Sequence, residues 1–134
     1  MTTLAEIEGI GAKYATKLKA AGIPTAEALL EQGATPAGRK KISEASGISD
    51  KLILEWINHM DLFRIKGVAS EYADLLEEAG VDTIPELATR KADHLFAKLE
   101  EVNKAKKLVR QLPTLEKVQD WIDQAKKMPR KITY

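Results

Sequence analysis

Residues 7–29 recur 58 positions further on, Ile7 onto Ile65, and this duplication limits the possible folds more than any other feature of the chain. Ile7-Glu8-Gly9-Ile10 falls on Ile65-Lys66-Gly67-Val68, and the match continues through Tyr14/Tyr72, Ala15/Ala73, Leu18/Leu76, Ala21/Ala79, Gly22/Gly80, Ile23/Val81, Thr25/Thr83 and Leu29/Leu87. Glu55-Trp56-Ile57 then matches Asp120-Trp121-Ile122 at an offset of 65, so the second copy carries about seven more residues before its last helix. Two copies of one supersecondary assembly predict two units, 1–60 and 61–134. No linker rich in Gly, Ser or Pro divides them, so they are expected to pack as one compact pseudo-two-fold domain.

Within each copy the apolar spacing is helical and strand signals are absent, which predicts an all-α fold. Tyr14, Leu18 and Ala21 share one helix face, and Gly22 supplies the left-handed residue that stops the helix. Thr25 caps a short helix ended by Gly33. Thr35-Pro36 opens a helix running to Gly47, and Ser49-Asp50 opens one with Leu52, Ile53, Trp56, Ile57 and Met60 on a broad face. In the second copy Thr83 and Glu86 read as a capping box, Asp93 as a helix start, and Leu112-Pro113-Thr114 as a break and a new cap.

Composition removes several function classes. Lys and Arg number 21 against 20 Asp and Glu, a net charge of +1, so no overall field attracts nucleic acid or membrane and any basic patch is local. The absence of cysteine removes disulfides, thiolate nucleophiles and sulfur-based zinc sites. The start of the chain has neither the basic residues nor the apolar run of a signal peptide, and no segment approaches a membrane span, so a cytoplasmic location without membrane contact is expected.

One repeated motif has a mechanism. A hydrophobic-x-Gly-hydrophobic-Gly sequence followed by a helix makes a tight corner, at which unpaired amides and the positive helix end point outward together. Such a corner suits a phosphate. Ile7-Glu8-Gly9-Ile10-Gly11-Ala12-Lys13-Tyr14-Ala15-Thr16-Lys17-Leu18 resembles the helix-hairpin-helix motif of DNA-binding proteins that do not read sequence. The resemblance implies phosphate contacts from Gly9, Ile10, Gly11, Ala12, Lys13 and Lys17, with Ile10 the buried hydrophobe. Glu8 stands where the motif often has proline and opposes a phosphate, and the corner also reads as a simple chain reversal. In the second copy, Lys66-Gly67-Val68-Ala69-Ser70-Glu71 keeps one glycine, and Glu71, Asp74, Glu77 and Glu78 follow it, a face that repels DNA. Ser46-Gly47-Ile48-Ser49 is a weaker echo.

Over nearly its whole length the chain also resembles a bacterial family called domain of unknown function 4332. The resemblance is carried by Leu29-Leu30-Glu31-Gln32-Gly33-Ala34-Thr35, Asp61-Leu62-Phe63-Arg64-Ile65-Lys66-Gly67-Val68, Ala79-Gly80-Val81-Asp82-Thr83 and Trp121-Ile122-Asp123-Gln124-Ala125-Lys126. It implies a compact all-helical domain of paired hairpin units and brings no activity with it.

The remaining conspicuous residues read as structure. Trp56 and Trp121 share equivalent apolar faces, as do Tyr14 and Tyr72, and all four are expected in the core. His59 and His94 lack the clustered ligands of a metal site and the partners of a triad. Adjacent acids such as Glu77-Glu78 diverge along a helix, which leaves paired-carboxylate catalysis unsupported. Between Lys104 and Lys131 nine cations face three anions, which reads first as a solvated face, with Lys106, Lys107 and Arg110 along one helix side as the lesser reading. The expected function is therefore a non-enzymatic helical binding module, without cofactor or metal, that contacts double-stranded DNA non-specifically through the Gly9 corner. The alternative is a protein-interaction module with no nucleic-acid role.

Overall fold

A computed structural model describes Thr3, Leu4, Ile7 and residues 10–133, with Ser70 described by its backbone alone. Among the described residues the chain forms eight α-helices and no strand: α1 (Ala12–Ala20), α2 (Ala26–Gln32), α3 (Pro36–Ser46), α4 (Asp50–Leu62), α5 (Ser70–Glu78), α6 (Ile84–Ala88), α7 (Ala92–Lys106) and α8 (Leu115–Lys127). The chain divides into two compact units, Met1–Asp61 with Lys131–Tyr134, and Leu62–Arg130.

The repeat extends to the details of capping. α1 and α5 each span nine residues and end on Ala21 and Ala79. Gly22 and Gly80 follow with φ of 88° and 93°. The next amide then turns back, Ile23 donating to the Leu18 carbonyl and Val81 to that of Leu76, both at 2.8 Å. These bonds satisfy carbonyls that a helix end otherwise leaves without partners. A side chain 58 positions apart in the two copies adds a further bond: Gln32 donates to the Gly22 carbonyl at 3.4 Å and Arg90 to that of Gly80 at 3.1 Å. Thr25 and Thr83 cap the following helices through their hydroxyls, each accepting at 3.1 Å. Only half of the expected capping box forms, because the Glu86 carboxylate is engaged by Arg90 at 2.7 Å.

Equivalent residues fill the two cores. Leu18, Ile23 and Leu29 are fully buried in the first unit, as are Leu76, Val81 and Leu87 in the second. Trp56 and Trp121 are 3% and 2% exposed, and each meets the tyrosine of its own unit. The Tyr14 and Trp56 ring centroids lie 5.2 Å apart, and those of Tyr72 and Trp121 lie 5.3 Å apart. The duplication reaches back to Leu4 and Leu62, both buried, whose carbonyls accept from Ile7 at 3.2 Å and Ile65 at 3.1 Å.

The copies diverge after the second helix. α7 has 15 residues against 11 in α3, about one extra turn. Its N-cap is Lys91, not Asp93, whose carboxylate instead accepts from the His94 amide at 2.9 Å. Where Gly47 alone turns the first copy toward Ser49, the second ends on a left-handed Lys107 with φ of 52° and continues to Thr114. Asn103 steadies this longer connection, accepting from the Val109 amide at 2.9 Å and donating to the Val109 carbonyl at 3.2 Å.

Residues 131–133 complete the first unit. Ile132 is buried, Thr133 donates to the Ala34 carbonyl at 2.8 Å, and Lys131 pairs with Glu31 at 2.7 Å. The Lys131 ammonium, hydrogen-bonded to Glu31, holds its carboxyl below the ordinary value. Arg39, buried on α3, donates to the Gly33 carbonyl at 2.9 Å and the Thr133 carbonyl at 2.8 Å, fastening this strap.

Candidate nucleic-acid interface

Of the six residues expected to meet phosphate, Ile10, Gly11, Ala12, Lys13 and Lys17 come together at the start of α1, whereas Gly9 lies outside the described residues, as does Glu8. Ile10 is 4% exposed and donates to the Ile7 carbonyl at 3.1 Å, so it anchors the corner from inside. Gly11 is the N-cap of α1, and no side chain caps it. The first helical hydrogen bond is Ala15 to Gly11 at 3.0 Å, so the Ala12, Lys13 and Tyr14 amides precede the helical ladder. Lys13 and Lys17 are exposed one turn apart. The Lys17 ammonium lies 5.9 Å from the Tyr14 ring centroid, within cation–π range, and Tyr14 in turn rests on Trp56.

Lys13 stands in the wrong place for helix stability. A cation in the first turn faces the positive end of the helix dipole, where an anion is favoured by about 0.3–1 kcal/mol. α1 has no acid in its first turn, while α5 places Glu71 at the position equivalent to Lys13.

The glycine pair divides differently from the sequence expectation. Gly11 has φ of −84° and open space around a built Cβ, so neither backbone conformation nor close approach demands glycine there. Ala69 takes its place in the second copy with a similarly extended backbone. The first glycine carries the turn: Gly67 has φ of 98°, and a Cβ on it would come 3.2 Å from Trp121 Nε1. The loss of the second glycine therefore leaves the corner of the second unit intact. Its residue before the turn, Lys66, is held from α8 by Gln124.

Other basic and turn-like segments resolve into structure. Gly47 is a left-handed helix cap whose neighbours close on themselves, Ser43 donating to the Ile48 carbonyl and Ser46 to that of Ile42, both at 2.6 Å. Lys106, Lys107 and Arg110 do not share a helix side, because α7 ends at Lys106 and the chain turns at Lys107. Lys106 is bonded to Glu78 at 2.5 Å.

The arrangement on α4 was not read from the sequence. His59 is 3% exposed and occupies, at the offset of 65, the position of Gln124; Asn58 and Asp61 beside it are also buried, and all three have partners. Among the described residues no buried side-chain nitrogen or oxygen lacks a hydrogen-bond partner. Among the described residues no group of three potential ligands gathers for a metal, and no helix is long and apolar enough to cross a membrane.

No curated protein and no solved structure matches the chain. A family model does, over residues 8–128, a stretch that ends just beyond α8. The chain thus belongs to the family described as Domain of unknown function (DUF4332).

Proposed function

We propose that this chain is a non-enzymatic binding module of the cytoplasm whose first unit works as a helix-hairpin-helix element, engaging the phosphate backbone of duplex DNA without reading its sequence. The observation that supports this reading is Lys13, an exposed cation at a helix start where stability favours an acid and where the second copy has one. A phosphate in front of the Ala12 and Lys13 amides turns that cost into a gain, since amides, dipole and ammonium then act on one anion. Lys17 extends the cationic edge by one turn, toward a neighbouring phosphate. The acidic α5 plays no part.

The test is a titration of labelled duplex at several salt concentrations. With so few phosphates engaged, the expected affinity is about 10⁻⁴–10⁻⁶ M, indifferent to sequence, with log affinity falling by about 0.9 per phosphate for each decade of salt. Lys13→Glu with Lys17→Glu flattens that slope, and Glu8→Lys strengthens binding. Binding that ignores Lys13 and Lys17, or no binding at low salt, removes this reading.

One observation favours a second reading, that the module binds protein. Leu115, 47% exposed, is the one large hydrophobic residue left exposed among the described residues. It lies in a groove of about 570 Å³ on the second unit, beside Lys91, Gln119 and Lys126. Leu115→Asp abolishes partner capture on this reading and leaves duplex titration unchanged.

A further inference from the structure

One edge of the first unit is covered by a piece of chain that is not a helix. Thr133 donates to the Ala34 carbonyl at 2.8 Å, and Arg39 bonds the Gly33 and Thr133 carbonyls together. Residues 131–133 therefore lie along the segment that leads from α2 into α3. Ile132 is buried between a half-buried Lys131 and an exposed Thr133, the alternation of an extended chain. At the offset of 58, Gln32, Gly33, Ala34 and Thr35 correspond to Arg90, Lys91, Ala92 and Asp93. Those four residues, with Leu115 and Lys126 of α8, line the open groove of about 570 Å³ on the second unit. The edge that is covered in one copy is open in the other, and Leu115 is the apolar side chain left in water there.

We infer that the groove beside Leu115 docks an extended segment of another protein, one that lays a β-branched aliphatic side chain against Leu115 as Ile132 is laid into the first unit. The inference rests on the protein-binding reading and gives its partner a chemistry. The duplication selects the occupant: two copies of one edge offer a slot to the same kind of chain. A second copy of this protein does not supply it, because its own Ile132 is already buried in its own first unit. The polar hold is looser than in the first unit. Ala97 stands where Arg39 does, so the buried guanidinium clamp has no counterpart, and the exposed Lys91 and Lys126 are left to donate to the carbonyls of the occupant. Asp93 and Glu116 also line the groove, so its rim carries both signs and net charge does not select the segment. Burial of apolar surface then carries the affinity. Binding is accordingly weak, exchangeable and almost indifferent to salt, unlike a contact between exposed charges.

Solution NMR of the full chain tests the inference, with the end-blocked tetrapeptide Arg-Lys-Ile-Thr, the sequence of residues 130–133, titrated through about 1 mM. The expected result is a saturable shift of the Lys91 and Ala92 amides and the Leu115 methyl groups, the same in about 0.1 M and about 1 M salt. The Ile132→Asp form of the peptide should shift nothing. Leu115→Asp in the chain should abolish the response; an acid in the first turn of α8 suits the helix dipole, and circular dichroism checks that this variant is folded. No shift, or a shift that survives Leu115→Asp, overturns the inference. So does a shift at Ala34 and Thr133 in place of the groove, which would mean that the peptide had displaced residues 131–133. A Leu115 shift that follows protein concentration without peptide also overturns it, since a second copy would then fill the groove. An end-blocked amphipathic helical peptide of leucine and lysine, titrated in the same way, separates the inference from the reading beneath it. A response to the helix alone leaves the groove a protein site and overturns only the extended occupant, whereas silence with both peptides removes the groove from either account.

Discussion

Gln124 holds Lys66 by both of its backbone polar groups, accepting from the amide at 2.8 Å and donating to the carbonyl at 3.0 Å. The same side-chain nitrogen also donates to Asp120 at 2.9 Å. A single side chain on α8 thereby fixes the turn that precedes α5. Gln124→Ala is expected to cost about 1–2 kcal/mol, the net worth of two hydrogen bonds, measured by urea unfolding. Gln124→Glu should cost at least as much, since a carboxylate cannot donate to the Lys66 carbonyl and sits beside Asp120.

The tryptophans make matched predictions. Trp56→Ala and Trp121→Ala should each cost about 3–5 kcal/mol, the usual range for an aromatic removed from a core. A loss below about 1 kcal/mol at either site contradicts the burial described here.

The two corner glycines should respond in opposite senses. Gly11→Ala should leave stability unchanged or raise it by about 0.4–1 kcal/mol, because it restricts the unfolded chain at a position with room for a methyl group. Gly67→Ala should cost about 1–2 kcal/mol for the left-handed backbone alone, and more where the new methyl group presses on Trp121. Thermal unfolding of the two variants side by side checks the contrast.

Lys13→Glu should separate stability from binding. It places an anion at the start of α1, so the folded chain should gain about 0.3–1 kcal/mol at low ionic strength. On the proposed function the same change weakens duplex binding. Loss of stability in this variant would show that the Lys13 ammonium has a structural role.

Arg39→Ala removes two charge-assisted hydrogen bonds to carbonyls from a buried site. The expected cost is about 1.5–3 kcal/mol per bond group lost, with hydrogen exchange accelerating at the Thr133 amide, whose bond to Ala34 lies beside it.

The helices and cores were legible because their signals are local: Thr25, Thr83 and Thr114 cap where they stand, and Gly22 and Gly80 stop helices by their own backbone preference. Lys107 gave no such signal, since its left-handed conformation is stabilised by the Asn103 side chain closing on Val109 rather than by its own residue type. The burial of Arg39 had no local signal, because the carbonyls it bonds include one 94 positions away in sequence. At the α1 corner the buried Ile10 followed from the resemblance to a helix-hairpin-helix, and the exposed Lys13 and Lys17 from their spacing four apart. The different demands on Gly11 and Gly67 did not, because φ cannot be read from a residue that tolerates every φ.

The strap of residues 131–133 has a consequence for how the molecule is made. A ribosome delivers α1 to α4 first, and domains generally form in the order of synthesis. Here the earliest helices wait for Ile132 and Thr133, which emerge only after the whole second unit. Until then the Ala34 carbonyl lacks its Thr133 amide and Arg39 one of its two carbonyls, so the unit begun first is the unit finished last.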